Sequence, residues 1–140
     1  MKFTKIIALA LLAVMALSLV ACSAYGTVEK NLEAIGYIEV EGEDSTANTI
    51  TQELEEGNLS CTVHLLTEEG AFGVQKKVIV LEFASDKELT EAIETSGTLS
   101  GIIKDAQKSQ IVRDNCVLVI LPSAFLDTSE IINAFNEGKK

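Results

Sequence analysis

Few residues in this chain have side chains suited to chemistry. His64 is the one histidine among 140 residues, so any system in which an imidazole activates a Ser or Cys nucleophile has to use it. Cys61 precedes it on the same stretch, but along a strand an odd separation puts two side chains on opposite faces. The pair therefore does not make a nucleophile and its base. No Gly-x-Ser-x-Gly elbow occurs, and His64 is expected to be an exposed strand histidine. Acids gather at Glu39, Glu41, Glu43 and Asp44, at Glu53, Glu55 and Glu56, and at Glu68 and Glu69. Calcium needs oxygen ligands at short loop spacings with a glycine for the bend, an order that Asp44 to Asn48 lacks. Zinc needs Cys and His ligands in clusters. The acids read as solvated faces, with no metal and no cofactor expected. Carboxylate pairs for glycoside hydrolysis can be drawn in any chain with 21 acids, yet the aromatic platforms of a sugar site are missing. There is no Trp, and Tyr25 and Tyr37 are the only tyrosines. Gly70, Gly73, Gly97 and Gly101 do not follow a strand and open a helix, so they make no phosphate loop. The expectation is that the protein is not an enzyme.

Cys22 is different, because its surroundings specify a use. Lys2 and Lys5 form a short positive start, and Ile6 to Val20 is an uncharged stretch rich in Ala and Leu. Leu19, Val20 and Ala21 then lead into the cysteine. In that order these are the parts of an export signal, and Leu19-Val20-Ala21-Cys22 resembles the lipobox of bacterial lipoproteins. The resemblance covers residues 1–22 and implies that diacylglycerol is attached to the Cys22 sulfur and that the chain is cut just before it. Ile6 to Cys22 is short for a bilayer span, which takes about 20 apolar residues. Ala21, Ser23 and Ala24 could also supply an ordinary small-x-small cleavage site. The organisation expected is a signal peptide over 1–21, a linker over 22–26 and one domain over 27–138, held by lipid on the outer face of the cell membrane.

Without residues 1–21 the chain keeps 119 of its 140 residues, the size of one domain. Loss of Lys2 and Lys5 takes the formal charge from −10 to −12. Such a surface repels nucleic acid and anionic lipid, so nucleic acid is not an expected partner. A basic partner or plain solubility both fit the charge. Cys61 and Cys116 remain. An exported chain can form a disulfide, which requires Cα atoms within about 7 Å. Free cysteine also behaves as a small core hydrophobe. Apolar neighbours on both cysteine faces favour two separate buried thiols.

The elements that must position these residues follow from periodicity. Val28, Leu32 and Ile35 share a helical face, with Thr27 as a cap and Gly36 as the stop. Tyr37 to Glu41 alternates like a half-buried strand, with Ile38 and Val40 inward. Residues 42–57 are ambiguous: Ala47, Ile50 and Leu54 have helical spacing, but Thr and Asn lower helix propensity, which favours strand or extended loop. Leu59, Cys61, Val63 and Leu65 alternate with Ser60, Thr62 and His64, a strand with one wet face. A reversal at Glu68 to Gly73 leads into Lys76 to Phe83, apolar on both faces and hence central. Ser85 and Glu88 form a capping box for a helix carrying Leu89, Ala92 and Ile93. A weaker helix follows with Leu99, Ile102, Ile103 and Ala106, interrupted by Gly101. Arg113-Asp114-Asn115 reads as a tight turn, Cys116 to Leu121 as a second central strand, and Asp127 and Glu130 as the capping box of a last helix.

The fold class expected is α+β, a mostly antiparallel sheet with helices packed on one face. The layout resembles that of many small uncharacterised lipoproteins of Gram-positive bacteria, a resemblance that carries no activity with it. The function expected is a lipid-anchored binding or interaction domain at the cell surface. Its rival is a small cell-envelope hydrolase with an unfamiliar site, which a deep pocket of acids with raised pKa values would favour. A solute-binding lipoprotein is a third option, though its two-lobed forms need roughly twice this length.

Overall fold

A computed structural model describes residues 24–69, 73–106, 111–122 and 126–138, and of 102–106 the backbone alone. The signal segment 1–21, Cys22 and residues 70–72 of the expected reversal lie outside the described residues. The elements run α1 (Tyr25–Glu33), β1 (Ile38–Val40), α2 (Ser45–Glu56), β2 (Thr62–Glu69), β3 (Gln75–Glu82), α3 (Asp86–Thr95), α4 (Gly97–Ala106), β4 (Val112–Arg113), β5 (Cys116–Ile120) and α5 (Thr128–Asn136). The five strands form one sheet in the order β1-β2-β3-β5-β4, with every pairing antiparallel. The chain is thus α+β, as its alternation of periods implied.

The helices were expected on one face of the sheet, but they line both. The reason lies in the two central strands. Val78, Ile79, Val80 and Leu81 of β3 are all fully buried, as are Cys116, Val117 and Leu118 of β5. Successive side chains point to opposite faces, so each face needs its own cover. On one face Leu66, Val78 and Ile120 lie in register, as do His64, Val80 and Leu118. There α1 packs through Val28 and Leu32, and α5 through Ile131 and Phe135. On the other face Leu65 pairs with Ile79, and Ile79 with Val119. α2 covers that face, and α3 and α4 abut it. Glu53 of α2 accepts the Thr98 N–H at the start of α4. Gly57, which ends α2, sits where an added Cβ would come 2.8 Å from Thr95 Cγ2, so a larger residue there would require the Thr95 side chain to shift.

Residues 45–56 are a helix, not the strand or extended loop expected of 42–57. Asp44 decides it. Its Oδ1 accepts from the N–H groups of Thr46 and Ala47, satisfying donors that a helix start leaves open. The low propensity of threonine is offset because Thr49 and Thr51 donate their hydroxyls to the carbonyls of Ser45 and Ala47. Ala47, Ile50 and Leu54 then form one buried stripe. The other caps follow the sequence. Ser85 Oγ accepts from Glu88 N, Asp127 Oδ1 accepts from Glu130 N, and Gly36 takes a left-handed φ of 98° just after α1. α4 runs through Gly101 without a break.

Candidate functional site: a histidine between two carboxylates

Three antiparallel strands bring the site together. His64 lies on β2, directly opposite Val80 of β3. Glu39 of β1 is opposite Leu66, two residues beyond His64 on the same face. Glu82 of β3 is opposite Thr62, two residues before it. The imidazole therefore has a carboxylate at each diagonal, a separation long side chains can close. His64 Nδ1 is 2.7 Å from Glu39 Oε1, and Nε2 is 2.9 Å from Glu82 Oε2. α1 supplies the roof. The Tyr25 ring stacks on the imidazole with centroids 3.5 Å apart and planes 12° from parallel, and its hydroxyl donates to Glu39 Oε2 at 2.7 Å.

These contacts fix the electrostatics. Both contacts of the ring are charge-assisted hydrogen bonds when the imidazole carries two protons, since a neutral ring donates from one nitrogen alone. Burial works to raise the Glu39 carboxyl, but hydrogen bonds from His64 and Tyr25 outweigh it and hold the group below the ordinary range. Glu29 of α1 moves the other way, raised by burial first and then by the charges of Glu39 and Glu33. Tyr25 is pushed far up by burial, with its hydrogen bond to Glu39 adding to the effect. The arrangement ties α1 to three strands through Tyr25, His64, Glu39 and Glu82. It does not present a free imidazole nitrogen to an outside substrate.

Four expectations are corrected here. His64 is not on a wet face; its side chain is only 12 % exposed. Tyr25 is not part of a linker, because α1 starts at that residue and buries it; helix entry comes from Ala24 rather than a Thr27 cap. Ile38 and Val40 do share a face, but that face is open, with Ile38 61 % and Val40 38 % exposed. Alternation identified the strand correctly. It could not show that β1 is an edge. Among the acidic runs, Glu39 is drawn into the cluster while Glu41 and Glu43 stay exposed.

The thiols stand apart. Cys61 and Cys116 are both free, Cys61 half-buried and Cys116 fully buried. Burial pushes the Cys61 thiol up to about 11 and the Cys116 thiol up to about 12, far from the thiolate state a nucleophile needs. Among the described residues no group of three or more His, Cys, Asp or Glu side chains is placed to hold a metal ion. An open hollow of about 810 Å³ lies along α5, lined by residues such as Asp127, Glu130, Asn133 and Asn136, and none of the four cluster residues borders it. Comparison with protein-family models, with curated proteins and with solved structures finds no match for this chain.

Proposed function

We propose that the chain is the precursor of a lipid-anchored binding domain, carried on the outer face of the cell membrane by diacylglycerol on Cys22, with no catalytic role. The observation that carries this reading is Leu19-Val20-Ala21-Cys22 directly after a positive start and an uncharged stretch. The fold is compatible with a close tether. Helix α1 begins at Tyr25, and the few residues between it and Cys22 span at most about 3.5 Å each. Against a hydrolase stands the environment of His64, whose ring nitrogens both meet carboxylates, together with two thiols held in their protonated form.

Lipid burial contributes about 0.8 kcal/mol per methylene, and two chains together anchor a protein stably where one does not. Replacing Cys22 by Ala is therefore expected to move the chain out of the membrane fraction or leave its signal uncut, with a change in mass to match. Unchanged fractionation and unchanged mass in that variant contradict the reading.

A further inference from the structure

Among the described residues, β1 has a neighbour on one side alone. Ile38 and Val40 are the only large apolar side chains exposed among the described residues, and both point to the face that carries α2, as their pairing with Thr67 and Leu65 requires. Beside Val40 runs a groove of about 350 Å³ between β1, β2 and the start of α2. Its lining is mixed: Val40, Val63, Leu65 and Ala47 give apolar surface, and Asn48, Thr51, Glu41 and Asp44 give polar surface beside it. On the opposite face Glu39 is locked by His64 and Tyr25, so the strand is held in place before anything docks.

We propose that this edge is a docking site for an extended, cationic segment of a partner protein, which pairs with β1 as a sixth strand and lays a Lys or Arg side chain in the groove. The inference rests on the binding-domain reading above and names the class of partner. An added strand pairs through its backbone and gains specificity from alternate side chains. Ile38 and Val40 supply an apolar pair for such side chains to cover. The groove suits a long basic residue, whose methylene stem lies on apolar surface while its charged head meets carboxylates. Glu41, Glu43 and Asp44 set the sign of the partner. A second copy of this chain fits poorly. Antiparallel pairing of two β1 strands centred on Glu39 would bring like charges face to face, which destabilises a strand pair.

The test is a titration of the full-length chain in detergent with a synthetic peptide of alternating Lys and Val, followed by backbone amide signals. The expected result is binding that shifts residues 38–42 and weakens as salt is raised. Ile38→Lys and Glu41→Lys should each weaken it about tenfold. Glu56→Lys, which makes the same charge change at an exposed site at the far end of α2, should leave it within about twofold. Ile38 is mostly exposed, so its variant keeps the fold, and the unshifted amides of α5 check this. The proposal is overturned by equal weakening in Glu41→Lys and Glu56→Lys, by equal binding of a Glu/Val peptide, or by no binding. Membrane retention through Cys22 is scored separately. If retention persists while the peptide fails, the edge assignment falls and the anchor stands. If retention does not depend on Cys22, the functional reading falls whatever the peptide does.

Discussion

The two edges of the sheet are both very short strands, yet they are finished in different ways. At the β4 edge Arg113 is 5 % exposed and donates from one guanidinium nitrogen to the carbonyls of Phe135 and Glu137, both at 2.8 Å. A cation there satisfies carbonyls left open at the end of α5 and complements the helix dipole. Ile111 beside it is buried as well. At the β1 edge a carboxylate, Glu39, reaches from the strand to Tyr25 and His64 on one face, while Ile38 and Val40 stay open on the other. Unpaired edges invite association and are usually blunted. One edge of this sheet is sealed by a buried charge that serves the fold. The other is anchored from behind and, among the described residues, carries no further strand.

That contrast can be broken most forcefully at Arg113. Arg113→Ala strips the last turn of α5 of two charge-assisted bonds and should cost about 2–3 kcal/mol, read as a lower midpoint in urea unfolding. Arg113→Lys should recover part of this, since an ammonium is a point donor without the planar fork. A loss under about 1 kcal/mol for the alanine variant would mean that the edge is closed by apolar packing alone.

The cluster behind β1 gives the next largest effect. Removing the imidazole with His64→Ala takes away the ring nitrogens that meet Glu39 and Glu82 and should cost about 2 kcal/mol. Its pH dependence has a definite sign. Glu39 is held below the ordinary range in the folded chain, so the unfolded chain takes up the proton first as pH falls. The stabilisation from Glu39 is complete above the ordinary glutamate value of about 4.3 and is lost as pH falls through the lower, folded value. Glu29, raised by burial, acts oppositely, and its protonation on acidification offsets part of that loss. Glu39→Gln should flatten the acid limb of a stability–pH curve, and Glu29→Gln should steepen it. Identical acid limbs in both variants would show that the network does not couple these groups.

The thiols test the cover of the sheet more gently. Native protein should react slowly with a thiol reagent at pH 8, Cys116 more slowly than Cys61, because both thiols are raised by burial. Once unfolded without reductant, a chain lipidated on Cys22 should show two thiols, Cys61 and Cys116. Finding none there would mean a disulfide and would contradict two free cysteines. The smallest effect on stability belongs to the open edge, where Ile38→Lys should stay within about 0.5 kcal/mol of the parent, even as it weakens peptide binding.

Much of the fold was legible in local pattern. The apolar runs at Val78 to Leu81 and Cys116 to Val119 announced central strands, and Ser85 and Asp127 marked helix starts by capping chemistry. α2 was also written in the sequence. Asp44 ahead of Ala47, Ile50 and Leu54 is a cap followed by a helical stripe, and propensity misled only because the threonines back-bond within the helix. Those central strands were read as apolar on both faces, yet cover was expected on one face alone, because which helix packs on which face is set by contacts distant in sequence. The candidate site was not legible in that way. His64 was placed on the correct alternation, but what covers a strand face depends on elements distant in sequence, here Tyr25, Glu39 and Glu82. No local period links those positions. Nor could alternation tell an inner strand from an edge, which is why Ile38 and Val40 were expected inside.

The central claim is the anchor, and intact mass spectrometry of the chain extracted from membranes tests it most directly. The account predicts a polypeptide that begins at Cys22 and carries diacylglycerol on the Cys22 sulfur. A mass matching unprocessed residues 1–140, or a processed chain whose Cys22 thiol is free, would contradict it.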